Sequence, residues 1–311
     1  MDESFKSGFV SLVGLPNAGK STLINQLAGT QLAITSPKPQ TTRFVIQAIV
    51  NEPDTQIIFL DTPGFCRPRN KLDQAMQRGI ATALADGDII LMITDAAAAA
   101  RAEKSDRLPR LEQELLERIK KQDKPVVLAL NKIDLMAKEA LLPIIARYSK
   151  EAPFEAIVPI SARDGDGIGD LLSEIRRLLK PGPKYYPEET WTDQTERRMV
   201  AELIRQQILL LTQEEIPHGV AVDIESFEEI GEPFRERVRI SATIYCEKNS
   251  HKGILIGKGG SMLKKIGTQA REEIEYLLGC PCYLELFVKV REDWRNRQDV
   301  LRHLGFVTRN G

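Results

Sequence analysis

The sequence predicts two domains of different construction: a doubly wound, mostly parallel α/β domain with one antiparallel edge strand, then an α+β domain. Three observations predict it. Over the first 180 residues short apolar runs alternate with helical patterns, the order that builds a parallel sheet covered on both faces. Pro181, Pro183 and Pro187 then interrupt the pattern, and no helix continues through such a cluster. Beyond them the order of elements becomes α-β-β-α-α-β, which cannot extend the first sheet.

Strands are predicted at 8–15, 43–51, 56–60, 88–94, 126–131 and 156–160. Helices are predicted near 20–28, 70–85, 108–122, 136–148 and 167–179. Only residues 52–54 join the second and third strands, too few for a crossover, so the second strand is an antiparallel edge. The alanine run 96–100 reads as a loop or the start of a helix. Residues 181–193 read as a linker between domains 1–180 and 194–311. The second domain is predicted to comprise a helix (194–212), strands 218–228 and 234–247, helices 251–256 and 260–278 around a glycine loop, a strand (282–290) and a last helix (293–304).

A length of 311 residues gives each domain its own core. The formal net charge is −1, so any contact with nucleic acid must come from a local basic patch. Cys66, Cys246, Cys280 and Cys282 are too few and too unevenly spaced for a disulfide framework, which suits a reduced, cytoplasmic compartment. The apolar run 88–100 contains Asp88 and Asp95 and is too short to span a bilayer. Without heptads or a large apolar patch, a monomer is expected.

Gly14-Leu15-Pro16-Asn17-Ala18-Gly19-Lys20-Ser21 follows a predicted strand and opens a predicted helix. That is the setting of a phosphate-binding loop, in which glycines let consecutive backbone N–H groups face phosphate oxygens. Lys20 would neutralise the β and γ phosphates, and Ser21 would offer its hydroxyl to Mg²⁺. Asp61-Thr62-Pro63-Gly64 ends the strand expected beside that loop, which places a carboxylate to hold Mg²⁺ through water. Gly64 can give its N–H to the γ-phosphate, making 64–80 a candidate switch. Gln40-Thr41-Thr42-Arg43 lies in a polar stretch that Pro37 and Pro39 keep extended. Thr42, rather than Thr41, is the expected metal ligand there.

Asn131-Lys132-Ile133-Asp134 ends another strand. A carboxylate at Asp134 can accept from both N1–H and the 2-amino group of guanine, a donor pair adenine lacks. Asn131 would brace the loop, Lys132 would lay its stem over the base, and Ser161-Ala162 would turn backbone N–H groups to the guanine oxygen. The order and spacing of these motifs resemble those of Ras-like GTPases over residues 8–180. Phe65 stands where Ras carries its water-orienting glutamine, a departure shared with translation-factor-related bacterial GTPases. The resemblance implies slow intrinsic hydrolysis of GTP to GDP, or help from a partner, a monovalent cation or backbone groups. Asn17 resembles an asparagine that coordinates K⁺ in some relatives.

In the second domain Ile254-Leu-Ile256-Gly257-Lys258-Gly259-Gly260 joins two helical segments. Residues 248–271 carry Lys248, Lys252, Lys258, Lys264, Lys265 and Arg271 without an acid. Glycines allow close approach of a nucleic-acid backbone and lysines neutralise it. Ile254, Ile256, Met262 and Ile266 can form an apolar groove floor for unstacked bases. The segment resembles a type II KH domain, and its pairing with a Ras-like domain resembles the Era family of bacterial GTPases. Val288-Lys-Val-Arg-Glu-Asp-Trp294 matches that family too, so the likeness spans essentially the whole chain. It implies binding to small-subunit (16S) ribosomal RNA near its 3′ end rather than to DNA, a role in 30S subunit assembly, and loose peripheral contact with the cytoplasmic membrane.

Two other readings remain at this level. A membrane-associated or RNA-modifying GTPase would need an amphipathic helix or a catalytic cysteine, and neither is evident. An RNA scaffold that holds GTP without turnover is compatible with Phe65.

Overall fold

The computed structural model describes residues 5–36, 38, 40–101, 108–213, 216, 218–231 and 236–307. Pro37 and Pro39, expected to hold their segment extended, lie outside the described residues. The described residues pack as two units. One comprises 1–33, 42–68 and 76–193; the other comprises 34–41, 69–75 and 194–311.

The first unit holds β1 (Lys6–Val13), α1 (Lys20–Ala28), β2 (Ile46–Asn51), β3 (Thr55–Asp61), most of α2 (Lys71–Asp86), β4 (Ile89–Asp95), α3 (Ala96–Arg101), α4 (Arg110–Lys120), β5 (Val126–Asn131), α5 (Leu141–Glu151), β6 (Ala156–Ile160), α6 (Ile168–Leu178) and β7 (Lys180–Pro181). Among the described residues the sheet order is β2-β3-β1-β4-β5-β6. β2 runs antiparallel to β3, while β3-β1-β4-β5-β6 pair in parallel. The strands alternate between two cores, which is why they read as nearly continuous apolar runs. Val10, Leu12, Ile57, Phe59, Leu91 and Ile93 face one core with Leu23 and Ile24 of α1. Val13, Ile90, Met92, Leu128 and Leu130 face the other with Ile80, Leu115 and Ile119. The alanine run forms α3, whose first turn is held by Asp95 Oδ1 accepting from the Ala98 N–H at 2.8 Å.

Residues 181–193, read as the linker, are hydrogen-bonded along the first unit. The prolines exclude a helix but leave an extended backbone able to pair. β7 lies antiparallel to Lys6 and Ser7 of β1. Gln56 Oε1 accepts from the Tyr185 and Tyr186 N–H groups at 2.7 and 3.0 Å, and Trp191 O accepts from Ile49 N at 3.0 Å. The segment is stitched along the first unit.

The second unit contains α7 (Glu196–Leu211), β8 (Ala221–Ile230), β9 (Arg237–Cys246), α8 (Asn249–Ile256), α9 (Ser261–Leu278), β10 (Cys282–Val290) and α10 (Gln298–His303). β8 and β9 are antiparallel, with an irregularity between Ile224 and Ser226, and β10 joins β9 in parallel. Val238, Ile240, Ala242 and Ile244 bury the inner face of β9 against Ile204 and Ile208 of α7 and Ile266, Ala270 and Ile274 of α9. The predicted helix 293–304 is instead a 3₁₀ turn at Trp294–Asn296 followed by α10. Asp293, at φ 50°, is left-handed and cannot lie within a helix. Trp294 is buried with its indole N–H donating to the Gly219 carbonyl at 2.9 Å.

Candidate nucleotide and RNA sites

β1 delivers the chain to the Gly14–Ser21 loop and α1 leaves it. Two glycines there are dictated by contact. A Cβ at Gly14 would sit 2.3 Å from the Ile93 carbonyl oxygen. Gly19 has φ 102°, and a Cβ on it would meet Asn131 Nδ2 at 2.0 Å. That same Nδ2 donates to the Ala18 carbonyl at 2.8 Å, so Asn131 at the end of β5 ties down the loop. Lys20 is buried, its Nζ donating to the Gly14 and Leu15 carbonyls at 3.1 and 3.0 Å. Burial pulls its ammonium down to about 8, partly opposed by the nearby Asp61 carboxylate.

Ser21 Oγ and Thr42 Oγ1 are 2.8 Å apart, and Thr42 Oγ1 lies 3.4 Å from Asp61 Oδ2. Asp61 has no exposed surface, and burial raises its carboxyl to about 7, against the pull of Lys20 and the Thr42 hydroxyl. Its Oδ1 has no hydrogen-bond partner among the described residues. Two hydroxyls converging on a buried carboxylate with an unsatisfied oxygen form the donor set of a hard, oxygen-seeking cation such as Mg²⁺. In the second unit, the carbonyl of the preceding residue, Thr41, accepts from Arg205 of α7. Gln40 reaches Asp73 at 3.4 Å, and Lys38 Nζ donates to the Leu209 and Thr212 carbonyls at the end of α7.

The Asp61–Gly64 turn packs against the phosphate loop. A Cβ at Gly64 would meet Pro16 at 2.9 Å. Thr62 Oγ1 donates to the Leu12 carbonyl at 2.8 Å, and the Phe65 N–H donates to the Gly14 carbonyl at 3.0 Å. The Phe65 ring is buried, with the Arg118 guanidinium 4.7 Å from its centroid. Phe65 is thus a core residue that fixes the turn.

At the base side, Asp134 follows Lys132, whose φ is 68°. Asp134 Oδ1 accepts from Ser161 Oγ at 2.8 Å. Lys132 Nζ pairs with Asp95 Oδ2 at 2.8 Å, a partner the sequence did not announce because Asp95 ends the neighbouring strand β4. The backbone N–H groups of Ser161 and Ala162, expected to meet guanine, are used otherwise. Ser161 N donates to the Asp166 carbonyl and Ala162 N to Asn131 Oδ1, both at 2.9 Å. Asn131 therefore clamps the phosphate loop with one amide atom and the 161–166 loop with the other.

In the second unit α8 and α9 are joined through Gly257–Gly260. Gly257 has φ 73°, and a Cβ there would press on the backbone nitrogen of Met262 at 2.8 Å. Gly259 and Gly260 also have positive φ but face open space. The turn is fixed by Gly257 and left accessible by the other two. Beside it runs a groove of about 520 Å³ lined by Gly260, Leu263, Lys264, Gly267, Thr268, Arg271, Leu284 and Leu286. Lys258, Lys264 and Lys265 are exposed, and Lys252 is half-buried. The predicted floor needs correction. Ile266 is buried in the core, Ile254 is 51% exposed, and Ile256 and Met262 pack against the core. Leu284 and Leu286 of β10 supply the apolar wall instead. Gly260, Leu263, Lys264, Gly267, Thr268 and Arg271 recur at helical spacing along α9, a stripe that was available in the sequence.

Against known proteins, a family model described as 50S ribosome-binding GTPase matches residues 9–132, and a KH domain model matches residues 215–295. GTPase Era of Alkaliphilus oremlandii is 47% identical over 97% of this chain and 99% of its own length. The chain belongs to the Era family of GTPases. GTPase Era of Clostridioides difficile strain 630 is 46% identical over the same shares of the two chains. The fold also matches a crystal structure of Era in complex with MgGDPNP and nucleotides 1506–1542 of 16S ribosomal RNA. That match has TM-score 0.90 and 39% identity over 98% of this chain and 100% of the other. A variant of Aquifex aeolicus Era bound to GDP and AlF4⁻ matches with the same figures. Like those proteins, this Era-family chain joins a mostly parallel G domain with an antiparallel edge strand to a C-terminal KH domain. Among the described residues no helix is long and apolar enough to cross a membrane.

Proposed function

We propose that this protein is a GTP-hydrolysing switch that binds small-subunit ribosomal RNA near its 3′ end and acts in 30S subunit assembly. What carries the reading is the full-length likeness to an Era complex that holds MgGDPNP and 16S ribosomal RNA together. We assign nucleotide work to residues 1–180 and RNA work to 194–311, with 181–193 between them.

In this reading Lys20 and the Gly14–Ser21 N–H groups hold the phosphates, and Asp134 accepts from guanine. Ser21 and Thr42 would ligate Mg²⁺ directly and Asp61 would do so through water. The ion supplies charge neutralisation across the β and γ phosphates. Thr42 can join that set only while its segment stays near the γ-phosphate, which gives a GTP-dependent arrangement of 36–43. Asn17 of the phosphate loop would be the K⁺ ligand, as its resemblance to the asparagine of K⁺-dependent relatives suggests. The Gly257–Gly260 turn and Lys252, Ile256, Lys258, Lys264 and Lys265 receive single-stranded RNA, with the groove beside α9 taking bases. The protein works in the cytoplasm, with loose contact at the membrane surface.

Two measurements on the full chain test this. Single-turnover hydrolysis of GTP should proceed slowly with Mg²⁺ and faster in K⁺ than in Na⁺ buffer. A fluorescent RNA carrying the 3′ end of 16S ribosomal RNA should bind more tightly with a non-hydrolysable GTP analogue than with GDP. Absence of phosphate release would leave an RNA scaffold, and absence of RNA binding in both nucleotide states would remove the ribosomal reading.

A further inference from the structure

Arg163 stands at the tip of the 161–166 loop, two residues after the serine that orients Asp134. Its guanidinium forms an ion pair with Asp134, Nη2 to Oδ2 at 3.1 Å. The Arg163 side chain is 65% exposed, whereas that of Asp134 is only 11% exposed. The loop beneath it is closed on itself. Gly165 N donates to the Ser161 carbonyl at 2.8 Å, and Ser161 N donates to the Asp166 carbonyl at 2.9 Å. Asp164 also takes the Arg163 guanidinium through two bonds, from Nε at 2.9 Å and Nη2 at 3.2 Å. The arginine thus has a resting partner on its own loop and a second, shared partner in the base site.

The chemistry of that shared partner matters. A guanidinium presents N–H groups as a planar fork to a carboxylate, and guanine presents its N1–H and 2-amino hydrogens in the same way. Asp134 Oδ1 already accepts from Ser161, so Oδ2 is the less committed acceptor, and Arg163 occupies it. We propose that Arg163 competes with the guanine base for Asp134 and so limits how fast guanine nucleotides reach the site. When the base arrives, the guanidinium falls back on Asp164, which keeps it charged-paired and lowers the cost of yielding. The proposal rests on the reading of Asp134 as the guanine acceptor. It concerns association, and because the base is common to both nucleotides it affects GDP and GTP alike.

The experiment is stopped-flow binding of ribose-labelled fluorescent GDP and GTP to the full chain. Arg163→Ala removes the competitor from an exposed position, so the fold is preserved. Association should then quicken roughly two- to five-fold for both nucleotides, the range an exposed ion pair supports, with dissociation unchanged. Asp164→Asn removes the fallback charge, and association should slow. Unchanged or slower association in Arg163→Ala overturns the proposal, as does faster dissociation, which would make Arg163 a support for the bound base. Asp134→Asn separates this from the underlying reading. If it leaves guanine-nucleotide affinity intact, the base-site assignment fails and the proposal falls with it. If it weakens binding while Arg163→Ala changes nothing, only the proposal fails.

Discussion

The hydroxyl oxygens of Ser21 and Thr42 lie 2.8 Å apart, bringing the first turn of α1 and the segment before β2 onto one point beside the Asp61 carboxylate. Thr41, one residue earlier, instead gives its carbonyl to Arg205. The two threonines therefore should not respond alike to substitution. If Thr42 ligates Mg²⁺ in the triphosphate state as proposed, Thr42→Ala should cost roughly ten-fold or more in affinity for a GTP analogue, the scale of one hydrogen bond to a charged group. GDP affinity should hardly change. Thr41→Ala should leave both affinities within about two-fold. Titration with Mg²⁺ present and absent checks the pair, and equal losses for GDP and the GTP analogue in Thr42→Ala would deny it a γ-phosphate-dependent role.

Glu112 of α4 is buried in the second core of the first unit. Its carboxyl oxygens accept from the Thr94 hydroxyl at 2.5 Å and the Tyr148 hydroxyl at 2.8 Å. Burial holds its pKa above the ordinary 4.5, although both hydroxyls pull it back. A carboxyl raised on folding lends stability that is fully present below its unfolded value and is lost as pH rises through the folded value. Glu112→Gln has no such loss. The melting temperature of the variant relative to wild type should climb as pH rises from about 4.5 through the raised value and then level off. A difference that stays flat between about pH 4.5 and pH 8 would show that folding does not raise the Glu112 pKa.

Arg205 is 2% exposed and paired with Glu202 at 2.6 Å, and its Nη1 has no partner among the described residues. Truncation to alanine leaves the Glu202 carboxylate and the Thr41 carbonyl without their donor. Breaking a buried pair from one side costs about 3–5 kcal/mol, and the 17% exposure of Glu202 points to the lower end. Urea unfolding followed by the fluorescence of Trp294, in a Trp191→Phe background, should report a loss of about 3 kcal/mol for Arg205→Ala. A loss below about 1 kcal/mol would mean that water reaches the pair freely.

The legible parts of this protein are those written contiguously. The phosphate loop, Asp61–Gly64, Asn131–Asp134 and the Gly257–Gly260 turn each place their chemistry within a few residues, at a strand end or helix start that hydrophobic period reveals. Contacts between distant segments were not legible. Nothing local in Asn131 says that its amide bridges Ala18 and Ala162, which takes up the N–H expected to face guanine. Nor does local pattern assign Leu284 and Leu286 to the groove, since they read as ordinary strand residues until β10 is placed beside α9. The pairing of residues 181–193 with the first unit was illegible for a related reason. Proline forbids helix but not pairing, and Gln56, which captures Tyr185 and Tyr186, lies 129 residues or more away.

The groove yields the sharpest test of the RNA half. Gly267 sits mid-helix in α9, where glycine is a poor choice on propensity, and a Cβ there would touch Leu286 at 3.4 Å. A larger side chain at this position would project into the space lined by Lys264, Thr268 and Leu284. Gly267→Leu should therefore abolish single-stranded RNA binding by filling the groove, while helix propensity keeps α9 formed. Lys264→Ala leaves the groove open and removes one positive charge. It should weaken binding and flatten the slope of log K against log salt by about 0.7, the share of one single-strand phosphate contact. The two variants thus separate shape from charge. An unaltered salt slope in Lys264→Ala would remove that lysine from the RNA path, and full RNA affinity in Gly267→Leu would move the bases out of this groove.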